Sequence, residues 1–310
     1  MKSLPIFIHA RPIEQEPEIP IFDLDIKSPN EPYAEILLST CWHVGHKNFE
    51  REALFRYLNL FYELHHLRGV FLGDAVDATS FRPGYLGESI VPEAQLEELA
   101  QILAPVAKKH LVWLIGNHDA RFQQATFGAI NWVQWLLRSQ LGSNAIVPNE
   151  PGRGIMAVFR VNKQEYTAYM SHTRGGAISN ELSATHKAKL NQLVALVATG
   201  HNHRQAWRPI REFAPTQRGK KWYLQTYETI EVSTGTFLGP PAYGEEVQYP
   251  QTDVGAYMVR FHSDEAKIEI IEPETQYAEL MNTNKYHPDT NIHLNLTPQQ
   301  QFHLNQAKKR

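Results

Sequence analysis

From residue 34 onward, short and nearly unbroken apolar runs alternate with longer stretches of helical periodicity. Ala34 to Thr40, Gly69 to Asp74 and Leu111 to Ile115 are runs of the first kind. Such runs predict strands buried on both faces. Between them, Phe49, Leu54, Tyr57, Leu58, Phe61 and Leu64 recur at helical spacing. They predict a helix over Asn48 to Leu67, with Asn48 as its N-cap. Pro92 to His110 predicts a second helix, entered at a proline and kinked at Pro105. Ala129 to Leu141 predicts a third, with Trp132, Trp135, Leu136 and Leu137 toward the core. Strands are expected over Gly154 to Val161, Glu165 to Met170 and Leu193 to Thr199, with a helix over Glu181 to Leu193. Residues 205 to 271 are rich in Val, Ile, Thr, Tyr, Trp and Phe and read as antiparallel strands.

This order predicts a layered α/β fold with helices outside a sheet. Ligands in such folds sit at the carboxyl ends of strands. Residues 1–33 contain six prolines and read as an extended arm, residues 34–271 as the folded domain, and residues 272–310 as a polar tail. With 42% hydrophobic and 20% charged residues, the chain has the composition of a globular protein, which excludes extensive disorder. A single cysteine excludes an internal disulfide. The net charge of −3 provides no overall footprint for nucleic acid or an anionic membrane. No run has the length and apolarity of a bilayer span, and Met1 to Pro20 lacks the apolar core of a signal peptide. A soluble, cytoplasmic protein without a membrane partner is expected. The sequence carries no signal for an oligomeric state.

Candidate chemistry gathers where the strands end. The first runs into Cys41-Trp42-His43-Val44-Gly45-His46, and the second into Gly73-Asp74-Ala75-Val76-Asp77. The third runs into Gly116-Asn117-His118-Asp119, a later one into Ser171-His172, and the next into Gly200-His201-Asn202-His203. Taken singly, each has an ordinary reading as a turn, a helix cap or a loop histidine. Five successive buried strands delivering imidazole, carboxylate, amide and thiol point instead to one shared metal site. Residues two apart on an extended chain face the same side, so His201 and His203 can share it.

The ordered set resembles the calcineurin-like metallophosphoesterase superfamily, whose series is Asp-x-His, Gly-Asp-x-x-Asp, Gly-Asn-His-Asp/Glu, a lone His, and Gly-His-x-His. The match spans about residues 34 to 265. It implies a four-layer α-β-β-α sandwich and two divalent metal ions (Mn, Zn or Fe). It implies attack on a phosphomonoester or phosphodiester by a metal-bound hydroxide. By position, Asp74 resembles the bridging carboxylate. His43 and His203 resemble ligands of one metal, and Asn117, His172 and His201 ligands of the other. His118 resembles the group that contacts phosphate and protonates the leaving oxygen, with Asp119 as its orienting partner. Ser171 to Gly176, Gly200 to Arg204, Thr234 to Leu238 and Tyr249-Pro250 are also similar to phage and prophage members. That likeness adds a nucleotide or a nucleic-acid end to the candidate substrates.

Cys41 departs from the pattern, which has aspartate there. As a thiolate ligand it favours Zn or Fe over Mn or Mg. As a buried thiol it fills space, and the chain becomes a single-metal or non-catalytic binding module on the same fold. A Cys-x-His start is also found in lariat-debranching members of the superfamily. Thr40 is a poor replacement ligand, since its side chain points to the opposite face. Arg121, Arg174 and Arg204 each follow a motif closely and are candidates for phosphate binding. His46 is a candidate for the pocket lining or for a helix cap. Asp77 is expected to make structural hydrogen bonds beside the site, and Trp42 to face the core. Residues 78–90 have the composition of a substrate-facing loop.

Overall fold

A computed structural model describes residues 21–26, 32–77, 91–128, 130–148, 154–172, 194–219, 221–239 and 253–273. The expected helix over Glu181 to Leu193, the loop 78–90 and the tail beyond residue 273 lie outside the described residues.

The strands are β1 Ile21–Asp25, β2 Tyr33–Ser39, β3 Arg68–Phe71, β4 His110–Trp113, β5 Ile155–Val161, β6 Gln164–His172, β7 Leu196–Gly200, β8 Ala206–Arg218, β9 Lys221–Ser233, β10 Tyr257–His262 and β11 Ile268–Ile271. They form two mixed sheets. One has the order β11-β10-β2-β3-β4, the other β1-β5-β6-β7-β9-β8. Strands β2, β3 and β4 are mutually parallel, as are β6, β7 and β9, so both sheets present carboxyl ends to one side. Residues 205–271 are not wholly antiparallel as expected, because β9 runs parallel to β7. β1, inside the segment read as an arm, pairs in parallel with β5 at a sheet edge.

Alternation along the central strands builds two cores. Ile36, Leu38, Val70, Leu72, Val112 and Leu114 face the second sheet and meet Ala157, Phe159, Ala168, Met170, Leu196 and Val232. Leu37, Phe71 and Trp113 face the other way, toward helices. There α1 Arg51–Glu63 buries Ala53, Leu54, Tyr57, Leu58, Leu60 and Phe61. α2 Pro92–Leu103 buries Leu99, Ile102 and Leu103 on the same core. The result is an α/β fold of two mixed sheets with flanking helices, consistent with a metallophosphoesterase-type sandwich.

Three helix expectations change in detail. α1 begins at Arg51, its N-terminal flanking residue is Glu50, and no side chain caps it, so Asn48 is not the cap. The Asn48 backbone N–H is bound instead by His46 Nδ1 at 3.0 Å. α2 stops at Leu103, two residues before Pro105, rather than continuing kinked through it. The third predicted helix is α4 Trp132–Gln134 followed by a wider winding over Trp135–Gln140.

Candidate metal centre

Three of the strand ends, after β2, β3 and β7, deliver their side chains through strained backbone. Among the described residues, six non-glycine positions have positive φ, and five of them are Cys41, His43, Asp74, His201 and His203. Backbone held in this sparsely populated region costs about 1–3 kcal/mol per residue and gathers at functional sites. Two glycines make the convergence sterically possible. A Cβ on Gly73, which has φ +104°, would lie 2.7 Å from both Gly116 N and His172 Nδ1. A Cβ on Gly116 would overlap the Asp74 carboxylate at 2.1 Å.

The donors converge on one ring nitrogen. His172 Nδ1 lies 2.7 Å from the Leu72 carbonyl, which only accepts, so this nitrogen carries a proton. In a neutral ring that leaves Nε2 with a lone pair. It faces Asp74 Oδ2 at 3.0 Å, Asn117 Oδ1 at 3.1 Å and His201 Nδ1 at 3.2 Å. Two oxygens and a second ring nitrogen around one ring nitrogen form a donor set suited to a cation. The spacing is that of neighbouring ligands on one ion with bonds of about 2.0–2.2 Å. His172 is the one imidazole here whose affinity for a proton rises. Burial pushes it down, but the Asp74 carboxylate outweighs burial.

The second cluster repeats the arrangement. His43 Nδ1 donates to Asp77 Oδ1 at 3.2 Å, which turns a bare Nε2 toward His203 Nε2, also at 3.2 Å. Burial pushes both histidines well below their ordinary range, His43 further through the neighbouring charge of His118 and His203 through that of His43. Burial, with His172 beside it, lowers His201 to about 4. Three imidazoles are therefore neutral near pH 7, the form that binds metal. Burial alone would raise Asp74, but His172 and His118 hold its carboxyl well below the usual range.

Cys41 is fully buried and belongs to both clusters. Its Sγ, His43 and His203 form one group of donors within 4.8 Å of one another, and its Sγ, Asp74 and His172 form another. Burial first, and the Asp74 charge second, push its thiol well above the ordinary value. Thr40 Oγ1 lies 3.4 Å from the sulfur and 2.9 Å from the Gly73 carbonyl. The sulfur thus lies among the candidate donors, and both burial and Asp74 oppose its deprotonation.

Asp77 carries a larger role than sequence reasoning gave it. Besides orienting His43, it accepts from His118 Nδ1 through its backbone carbonyl, with its carboxylate 3.7 Å from the same nitrogen. Its own N–H is held by Gln95 Oε1 at 3.1 Å. Asp119 is the residue the sequence assigned to His118, and it does something else. Its buried carboxylate accepts the backbone N–H groups of Asp74 at 2.8 Å, Ala75 at 2.9 Å and Gly116 at 3.0 Å. It pins the two motif loops together rather than orienting the imidazole. Within the GDxxD-type spacing, the aspartate three residues after Asp74 was the signal that pointed to Asp77.

The remaining candidates separate. Arg121, on α3 Asn117–Phe122, lies close enough for its charge to depress His201. Arg204 is engaged by Asp253 Oδ2 at 3.0 Å, a partner the sequence gave no reason to expect. His46 is buried and bound to the Asn48 backbone, within reach of the His118 and Asp77 charges. Arg174 lies outside the described residues. Trp42 packs edge-on against Phe71 and Trp113 in the helix-side core, as expected. Asn117, His118, His201 and His203 are the half-buried members, so the cluster opens to solvent on that side.

No family model matches the chain, and no curated protein matches it. Solved structures match at a distance. A predicted phosphoesterase from Streptococcus pneumoniae TIGR4 is 10% identical over 78% of this chain and 91% of its own, with a TM-score of 0.35. Vps29 from Entamoeba histolytica, in complex with zinc, is 12% identical over 77% and 98%, with a TM-score of 0.33. Vps29 from Cryptosporidium parvum is 11% identical over 77% and 96%, with a TM-score of 0.33. These distant likenesses fix no subfamily. Among the described residues, no helix is long and apolar enough to cross a membrane.

Proposed function

We propose that this chain is a divalent-metal-dependent phosphoesterase in which one metal subsite is complete and the other depends on Cys41. The observation that supports it best is the convergence of Asp74, Asn117 and His201 on His172 Nε2. Those four residues would hold one cation. His43, His203, Cys41 and a shared Asp74 would hold a second, which makes the centre binuclear. Bound cations supply charge neutralisation at a phosphoryl group and acidify water.

The chain's own groups do the rest. His118 is the most solvent-accessible imidazole of the His43, Asp74 and His118 group, and Asp77 fixes its Nδ1, leaving Nε2 to meet a leaving oxygen. Arg121 is positioned to pair with a phosphate oxygen. Likeness to phage and prophage enzymes in Gly200 to Arg204 directs substrate trials to nucleotides and nucleic-acid ends. A reducing compartment such as the cytoplasm keeps Cys41 a thiol.

One observation favours a second reading, a single-metal or non-catalytic binding module. Asp74 and burial both oppose a thiolate at Cys41, so the subsite holding it starts short of a charged ligand. On donors alone, single-metal occupancy is the better supplied of the two.

The test is metal content after purification without added metal, paired with bis-p-nitrophenyl phosphate hydrolysis under Mn, Zn, Fe and Mg. About two metals per chain, with turnover that His118→Ala lowers about 10²–10⁴-fold, supports the hydrolase. One metal and no turnover in the native chain, with turnover created by Cys41→Asp, establishes the module instead.

A further inference from the structure

The hairpin β8–β9 leaves the sandwich. β7 begins alongside Ile230, so from the pair Ile210–Thr229 to the tip the hairpin has no third strand among the described residues. The nine residue pairs from Ile210–Thr229 to Arg218–Lys221 give a two-stranded arm of about 30 Å. It points away from the carboxyl ends that carry the metal centre, since β9 runs from the tip toward Ser233.

The arm has one apolar face. Residues directly opposed in an antiparallel pair share a face, and every second residue along a strand returns to it. Val232 and Ile230, buried between the two sheets, therefore share their face with Trp222 and Leu224 on β9 and with Phe213 and Pro215 on β8. The core-facing stripe runs on past the last side chain that covers it. Phe213 is 62% exposed, Trp222 66% and Leu224 70%. A lone two-stranded ribbon is marginal in water, and this one presents a cluster of large apolar groups to it.

We propose that two copies of this chain pair through these hairpin faces, each covering the other's Phe213, Trp222 and Leu224. Three features select a second copy as the occupant. Strand addition at the free edge of β8 is opposed by Pro209 and Pro215, which give that edge no N–H to offer at two positions. The face is thus the surface left for contact. It suits protein rather than nucleic acid. Between Phe213 and Trp222 it carries no cation, while Lys221 falls on the opposite face by register. At the inner end of the arm, Arg211 and Glu228 sit opposed on the apolar face, 3.6 Å apart and both exposed. A two-fold axis along the arm sets β8 over β9 and brings each of them toward its opposite in the partner. In area, the three exposed side chains present roughly 350 Å² per copy, so pairing them buries about 700 Å² before Pro215 and the backbone are added. That brings the contact toward the lower bound of about 1,200 Å² for a stable interface.

The test is sedimentation equilibrium of the full chain over about 1–200 µM, a range chosen to span micromolar dissociation. The weight-average mass is expected to rise from 35.5 kDa toward twice that value. Trp222→Ser combined with Leu224→Ser should weaken association about 100-fold or more, and Phe213→Ser on the other strand should do the same in direction. All three side chains are exposed in the single chain, so circular dichroism should be unchanged. Lys221→Ser, on the opposite face, should leave the dimer intact. A wild-type chain that stays monomeric throughout, whether or not it binds a single-stranded oligonucleotide, overturns the proposal. So does a dimer that survives the double substitution.

Discussion

Replacing Asp77 should weaken one metal subsite and spare the other. Its carboxylate accepts from His43 Nδ1 at 3.2 Å, and both side chains are about 2% exposed. No comparable link reaches His172, whose Nδ1 is held by the Leu72 carbonyl. Losing a partner that orients a ligand imidazole typically costs 10- to 100-fold in metal affinity, about 1.4–2.7 kcal/mol. Asp77→Asn keeps an acceptor oxygen for His43 and loses the charge, so about tenfold is expected. Asp77→Ala loses both and should approach 100-fold. The carbonyl that holds His118 survives in either variant. Cobalt titration against a competing chelator reads the subsites apart as two binding steps, and thiolate-to-metal charge transfer reports the ion that Cys41 ligates. Equal weakening of both subsites would refute the reasoning, as would no change in the thiolate band.

Two further expectations concern stability. His110 is buried between Phe61 and Trp113, with ring centroids at 5.1 and 5.0 Å, and burial lowers it to about 4. A base lowered in the folded state is protonated preferentially in the unfolded chain. Its contribution is therefore full above about pH 6.5 and is lost as pH falls toward 4, amounting to about 3 kcal/mol. Urea unfolding of wild type and His110→Leu between pH 7 and 4.5 should show a shallower acid decline in the variant; parallel declines would sink the assignment. Gly73→Ala should cost about 2–3 kcal/mol, since its Cβ would strike Gly116 N and His172 Nδ1 at 2.7 Å. Gly219→Ala, at φ +62° in open space, should cost only about 1–2 kcal/mol, and equal losses would deny the steric part.

What could be read from the chain divides by how far the determining contact lies in sequence. Strands β2, β3, β4 and β7 announce themselves because each is largely buried on both faces and so is mostly apolar. Their ends announce the site because little else places His, Asp and Asn after a buried strand. Contacts that decide orientation were out of reach. Asp119 follows His118 directly, which suggested a pair, yet its carboxylate turns to backbone N–H groups 44 and 45 residues away. Arg204 looked available until Asp253, 49 residues on, closed over it. The start of α1 moved because Val44 bridges to Val76 and Phe49 to Leu238, and the chain between them closes two turns, His46 N–H to the His43 carbonyl and Phe49 N–H to the His46 carbonyl, where local propensity favours a cap. The left-handed backbone at Cys41, His43, Asp74, His201 and His203 is the sharpest case. Local preference runs against it at all five, so it persists only because the packed sheets over-determine it. That strain, carried by three strand ends, is the cost of bringing them to one point. It is also the reason a site built from separately unremarkable motifs can hold its donors at contact distance.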